Sequence, residues 1–182
     1  MDNQIGFYIN VAHCIGCKTC VVACKDKNEL EVGRNFRRVY DFEKGTYPRV
    51  STWHLSIACN HCSDPACVKV CPTQAMHKRE EDGVVLVDQS KCIGCRSCAK
   101  ACPYEAPQYD EQIKKMSKCD TCFDLRDQGK NPVCVDSCPM RAIEFGLIKE
   151  LRQKYGDNAN ADGLPNASFT QPNLVLGLKP SR

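Results

Sequence analysis

The sequence contains no run of about 18 consecutive apolar residues, the length a helix needs to cross a bilayer, so no direct membrane span is expected. Its opening stretch, MDNQIGFYIN, lacks a basic segment followed by an apolar one, and nothing in the chain itself is expected to direct export. Neither sign of charge dominates: 25 basic against 22 acidic residues leave a formal +3, too slight a balance to point to a nucleic-acid partner. Histidine is scarce, at 4 residues, and tryptophan occurs once, at Trp53, where packing is the expected role. What the chain does hold is cysteine, 16 in 182 residues. Such a density marks disulfide scaffolds in exported chains. Without a sign of export, C-x2-C spacing favours metal or redox chemistry instead.

The cysteines form a repeat nested around a repeat. Two central groups read CNHCSDPACVKVCP, with Cys59, Cys62, Cys67 and Cys71, and CIGCRSCAKACP, with Cys92, Cys95, Cys98 and Cys102. Cys14, Cys17, Cys20 and Cys24 precede them, and Cys119, Cys122, Cys134 and Cys138 follow. A 4Fe-4S cube needs four converging thiolates: C-x2-C-x2-C wraps three corners, and a fourth cysteine three residues on, followed by proline, points to the other cluster of a pair. The first and third groups keep this spacing; the second widens Cys62 to Cys67 and the fourth widens Cys122 to Cys134. Proline follows Cys71, Cys102 and Cys138, whereas Lys25 follows Cys24. A structural zinc site joins one C-x2-C to a remote pair and has no use for a third ligand in each loop. His13, His54, His61 and His77 lie near the cysteines and are expected to be hydrogen-bonding neighbours, since each site already has four thiolates. Four oxidised cubes would bring the loaded chain to about −5.

Exchanging the fourth ligand within nested pairs gives four expected sets. The outer pair takes Cys14, Cys17, Cys20 and Cys138 for cluster 1, and Cys24, Cys119, Cys122 and Cys134 for cluster 2. The inner pair takes Cys71, Cys92, Cys95 and Cys98 for cluster 3, and Cys59, Cys62, Cys67 and Cys102 for cluster 4. Pairing the groups in sequence, first with second and third with fourth, is the alternative.

The expected fold is α+β: two ferredoxin-like modules, each holding two 4Fe-4S clusters and related by internal duplication, with short strands and helices and an extended C-terminal tail. CPMRAIEF repeats CPTQAMHK in type, which supports the duplication. The expected outer module is 1–35 plus 104–156, the inner module 36–103, and 157–182 a partner-binding tail. Locally, a strand is expected over 5–10, a helix from Thr19 to Leu30, and a hairpin of 36–43 with 50–57 turned at Gly45 and Pro48. A second hairpin is expected at Asp82-Gly83, and a helix over 147–155 stopped by Gly156. Arg34, Arg37, Arg38 and Arg49 read as a solvated basic face rather than a docking surface. The apolar run Leu174 to Leu178 gives the tail something to bury, against a partner.

HCIGCKTCVVACKD, SIACNHCSDPACVKVCPTQAMHKRE, KCIGCRSCAKACPYEAPQY and KCDTCFDLRDQGKNPVCVDSCPMRAIEFG together resemble the four-cluster electron-transfer subunits, or B chains, of the dimethyl sulfoxide reductase family. The resemblance covers nearly the whole chain. It implies an electron-transfer subunit with four 4Fe-4S clusters and no catalytic residues, serving anaerobic respiration. It implies a catalytic partner carrying a molybdenum (or tungsten) bis-pterin cofactor and a membrane-anchor partner that interacts with quinol. The outer pair would then face the catalytic subunit and the inner pair the membrane. Cys95 is present where some relatives lack cysteine and hold a 3Fe-4S cluster, which implies four cubes here. The location implied is peripheral, membrane-associated through partners: periplasmic if the catalytic subunit carries a twin-arginine signal, otherwise cytoplasmic. A free polyferredoxin shuttle and a cluster-assembly factor are the alternatives. Lys18, Lys25, Arg96, Lys100 and Lys118, beside the ligands, are candidates for raising cluster potentials.

Overall fold

The structure, a computed structural model, describes residues 2–178. In chain order the elements are β1 (Ile5–Asn10), α1 (Thr19–Lys27), β2 (Arg38–Thr46), β3 (Arg49–Ile57), α2 (Ala66–Lys69), β4 (Met76–Lys78), β5 (Val85–Val87) and α3 (Ser97–Ala101). They continue with β6 (Gln108–Asp110), β7 (Lys115–Ser117), α4 (Phe123–Arg126), α5 (Val133–Asp136), β8 (Ile143–Leu147), α6 (Ile148–Tyr155) and β9 (Leu174–Gly177). This is the small mixed α and β fold expected, and among the described residues no helix is long and apolar enough to cross a membrane.

The central sheet has the order β8-β1-β9. β1 runs antiparallel to β8, with Ile5 opposite Leu147, and parallel to β9, with Phe7 opposite Leu174. Phe7 and Ile9 bury one face of β1 against Leu55, Ile57, Leu174 and Leu176, while Tyr8 on the other face meets Ile148 and Leu151 of α6. The tail's apolar run packs within the chain: Leu174, Val175 and Leu176 are buried, on the strand that pairs with β1. The last residues of the expected tail, 179–182, lie outside those described.

Four short helices carry expected ligand cysteines, α1 two of them (Cys20 and Cys24) and α2, α3 and α5 one each (Cys67, Cys98 and Cys134). α1 packs against α5 and α2 against α3, which brings the first cysteine group beside the fourth and the second beside the third. Two hairpins cross the expected module boundaries. β2–β3, with Phe42 stacked on Trp53 at 5.5 Å, adds Leu55 and Ile57 to the outer core. β6–β7 adds Met116 to the inner core beside Met76 and Val85. The β2–β3 ladder also runs further than expected, to Thr46 opposite Arg49, so Gly45 is a ladder residue and Tyr47-Pro48 makes the turn.

The basic segment is not a solvated face. Arg37 is 1 % exposed, Arg34 pairs with Asp110 at 2.8 Å and Arg38 with Glu105 at 3.2 Å. Only Arg49 of the four is exposed.

Candidate metal centres

The C-x2-C-x2-C loops form because the chain reverses tightly between ligands. Gly16 and Gly94 sit at φ +69° and +68°, a left-handed conformation a side chain disfavours. Lys18 and Arg96, at φ 61° and 62°, repeat one another two residues on, and α1 and α3 begin immediately after, at Thr19 and Ser97. The Thr19 hydroxyl lies 3.4 Å from Cys17 Sγ and the Ser97 hydroxyl 3.5 Å from Cys95 Sγ. The second and fourth groups share a different design. Pro65 and Pro132 open α2 and α5, and the helices carry Cys67 and Cys134. After them the Met76 N–H donates to Cys71 Sγ and the Ala142 N–H to Cys138 Sγ, both at 3.3 Å. The two halves of the chain therefore carry the same pair of loop conformations.

Three of the expected sets each line one cavity. Cys14, Cys17, Cys20 and Cys138 line one cavity together, with Ile9 and Ile143 at its apolar wall. Cys59, Cys62, Cys67 and Cys102 line a second, and Cys71, Cys92, Cys95 and Cys98 a third. The remaining set is coupled electrically. Burial pushes the Cys24 thiol up to about 12, and Cys134 and Cys122 add to the rise. Burial likewise holds Cys119 well above its ordinary value, with Cys24, Cys59 and Cys134 contributing.

The donor set tests what the residues fit. Each of the three cavities gathers four cysteines, three from one loop and one from a distant loop, whereas a structural zinc site joins two C-x2-C pairs and does not call for three ligands in one loop. A 4Fe-4S cluster fits this all-thiol donor set. Burial raises Cys62 and Cys67 to about 12 and Cys98 and Cys122 to about 11. These thiols are neutral at pH 7 without metal, so loading must release protons, and the metal charge must replace them. The exposed Cys17 and Cys95 go the other way, lowered by hydrogen bonds from Thr19 and Ser97.

His61 is fully buried, accepts the Val85 N–H at Nδ1 over 3.0 Å, and is held well below its ordinary pKa by burial, then Lys118. His54 is bonded to Asp41 at 2.8 Å and His77 faces the Ala75 carbonyl at 3.2 Å. Of the cations proposed to raise potentials, Lys18 is exposed and paired with Asp41, Arg96 with Glu111, and Lys100 is exposed. Lys25 spends its amine on the carbonyls of Glu31 and Arg34, at 2.6 and 2.9 Å. Lys118 alone is buried, at 6 % exposure, donating to the Val85 and Cys119 carbonyls.

Two features escaped the sequence. Arg37 is buried among the outer thiols, and the tail places Thr170 on the wall of the Cys59 cavity. There the Ser63 and Asp64 N–H groups donate to the Gln171 and Thr170 carbonyls, and Asn173 donates to the His61 carbonyl. The Asn-rich composition carried no signal of this, because two of these contacts join backbone groups and the third depends on where one asparagine, Asn173, is placed in space.

Residues 50–148 match a family described as a 4Fe-4S dicluster domain, and residues 12–32 one described as a 4Fe-4S binding domain. The sequence is 53 % identical, over 97 % of its length and 89 % of the relative, to the B chain of anaerobic dimethyl sulfoxide reductase from Escherichia coli K12. It is 50 % identical, over 98 % and 90 %, to the corresponding B chain from Haemophilus influenzae. It is 38 % identical, over 81 % of its length and 60 % of the relative, to the B subunit of tetrathionate reductase from Salmonella typhimurium.

Proposed function

We propose a function from one premise: the protein belongs to the family of anaerobic dimethyl sulfoxide reductase B chains, iron-sulfur proteins with multiple 4Fe-4S clusters. It is an electron-transfer subunit of an oxidoreductase complex, not a catalytic one. It relays electrons through four 4Fe-4S clusters between a quinol-interacting membrane subunit and a molybdopterin catalytic subunit, and its own residues do no bond chemistry.

The observation that carries this reading is that Cys138 lines one cavity with Cys14, Cys17 and Cys20, from the opposite end of the chain. In this reading each of the four expected sets holds one cube, the outer sets towards the catalytic partner and the inner sets towards the membrane. The modules follow the core packing, so β2–β3 goes with the outer pair and β6–β7 with the inner. When bound, the clusters supply one-electron transfer. The chain's residues bind them through sulfur, aim backbone N–H groups at Cys71, Cys92, Cys119 and Cys138, and line the cavities with apolar side chains that keep water out. The subunit is peripheral, on the side of the membrane that the catalytic partner's signal sets.

One observation favours a second reading, a free polyferredoxin shuttle: the tail's apolar run is satisfied within the chain. Anaerobic purification of the tagged protein from its own cells, with native mass, iron and sulfide measured, tests both. The expected result is a complex with a large molybdoprotein and about sixteen iron atoms per chain. A lone iron-loaded chain supports the shuttle. A colourless or zinc-loaded one overturns both.

A further inference from the structure

Arg37 stands apart from the other arginines around the core. Arg34, Arg38 and Arg126 each reach a carboxylate, at Asp110, Glu105 and Asp82. Arg37 is 1 % exposed and, among the described residues, is paired with no carboxylate. Its Nη1 donates to Ser56 Oγ at 3.0 Å, and Ser56 Oγ lies 3.4 Å from Cys20 Sγ. Its Nε and Nη2 are buried with no hydrogen-bond partner, and its guanidinium carbon sits 4.8 Å from the centre of the Phe7 ring. A guanidinium is always charged and has five donors, so burying it with one hydrogen bond is costly unless negative charge faces it. The groups whose charge bears most on it are Cys134, Cys20, Cys119 and Cys24, drawn from both outer sets.

We propose that Arg37 is the internal counter-cation of the two outer clusters: tethered by Ser56 beside Cys20, it favours the reduced form of both. This rests on the reading that the outer sets hold 4Fe-4S clusters. An oxidised cube with four thiolates carries about −2 and gains one electron on reduction. That electron arrives from the neighbouring redox centre and leaves to the next, with no proton taken up, because the guanidinium has none to gain. A fixed positive charge in a water-poor site stabilises the added negative charge, and the two donors without protein partners are available to cluster sulfur, a contact that raises potentials. Burial keeps the effect from being screened by salt, unlike that of exposed Lys18.

The test is an EPR-monitored redox titration of the full chain in its complex, comparing wild type with Arg37→Gln, Arg37→Lys and Ser56→Ala. The outer signals are assigned from their loss in Cys20→Ser and Cys122→Ser. With iron retained, Arg37→Gln is expected to lower the equilibrium constant for reducing the outer clusters at least tenfold, about 59 mV for a one-electron couple, and to leave the inner pair within threefold. Arg37→Lys keeps the charge and is expected to shift them less than threefold, and Ser56→Ala to shift them downward by an intermediate amount. Full iron with unmoved outer potentials in Arg37→Gln overturns the proposal, as does an equal shift in Gln and Lys variants, which marks a purely structural role. If both Arg37 variants lose iron, Ser56→Ala decides: full iron and unmoved potentials overturn it, a downward outer shift sustains it. Wild-type material far short of sixteen irons sinks the underlying reading instead, so the two failures are distinguishable.

Discussion

The loops from Cys14 to Cys24 and from Cys92 to Cys102 are twins up to their third cysteine, with matching left-handed residues and matching hydroxyl contacts. They diverge at the residue that follows the fourth. Pro103 follows Cys102, and a residue before proline is pushed out of the helical region; Cys102 is extended, at ψ 113°, and α3 stops after five residues. Lys25 follows Cys24 and keeps its N–H, so α1 runs on for nine residues. The longer helix then lets the Lys25 amine collect the carbonyls of Glu31 and Arg34, fixing the segment that delivers Arg37. One substitution in a repeated motif thus gives the outer pair a structural arm that the inner pair lacks.

Removing a central ligand is the harshest test of twinship. Cys20→Ala and Cys98→Ala, both on buried third positions, are each expected to cost one cluster, about four irons per chain, by iron analysis. Unequal losses would break the equivalence. Lys25→Pro imposes the inner loop's ending on the outer one; it removes a helix hydrogen bond and both amine contacts, and a loss of about 3 kcal/mol or more is expected in denaturant unfolding of the loaded chain. Lys25→Met, which leaves the helix intact, is expected to cost about 1–3 kcal/mol through the stranded carbonyls.

Glycine substitution sharpens the comparison further. Gly16→Ala and Gly94→Ala both strain a left-handed residue by about 1–2 kcal/mol. A methyl at Gly16 meets the His54 ring at 2.6 Å, a side chain able to turn away, whereas one at Gly94 meets the Lys114 backbone carbonyl. Melting temperatures should therefore place Gly94→Ala below Gly16→Ala. The smallest effect concerns pH. Asp88 and Asn10 hold equivalent turns, their carbonyls accepting the Cys92 and Cys14 N–H groups. Hydrogen bonds from Ser90 hold the Asp88 carboxyl down at about 2. Its contribution is present above the ordinary carboxylate pKa of about 4 and fades as pH falls towards about 2. The difference in melting temperature between wild type and Asp88→Asn should shrink over that window, while an Asn10→Ala difference should not.

Several elements were legible because their causes are local. The strand Ile5–Asn10, the hairpin at Asp82-Gly83 and the helix ended by Gly156 follow from β-branched content, a turn dipeptide and a stop residue within a few positions. The helix expected to reach Leu30 ends at Lys27, where the Asn28 side-chain amide N–H donates to the Cys24 carbonyl at 2.8 Å, a side-chain choice composition does not reveal. Adjacent Arg37 and Arg38 looked alike; one turns inward to Ser56, the other outward to Glu105. Leu174–Gly177 is a short apolar run with many possible partners, and only the open edge of β1 selected one.

By itself the sequence determined the chemistry of the sites: the kind of donor, its number and the tight loops that present three at a time are all written within a dozen residues. Which distant cysteine completes each cavity, and which cation is shut in beside it, were decided by the tertiary structure. Both depend on segments brought together from separate parts of the chain, where the cost of burying a charge is settled by neighbours that no local pattern names.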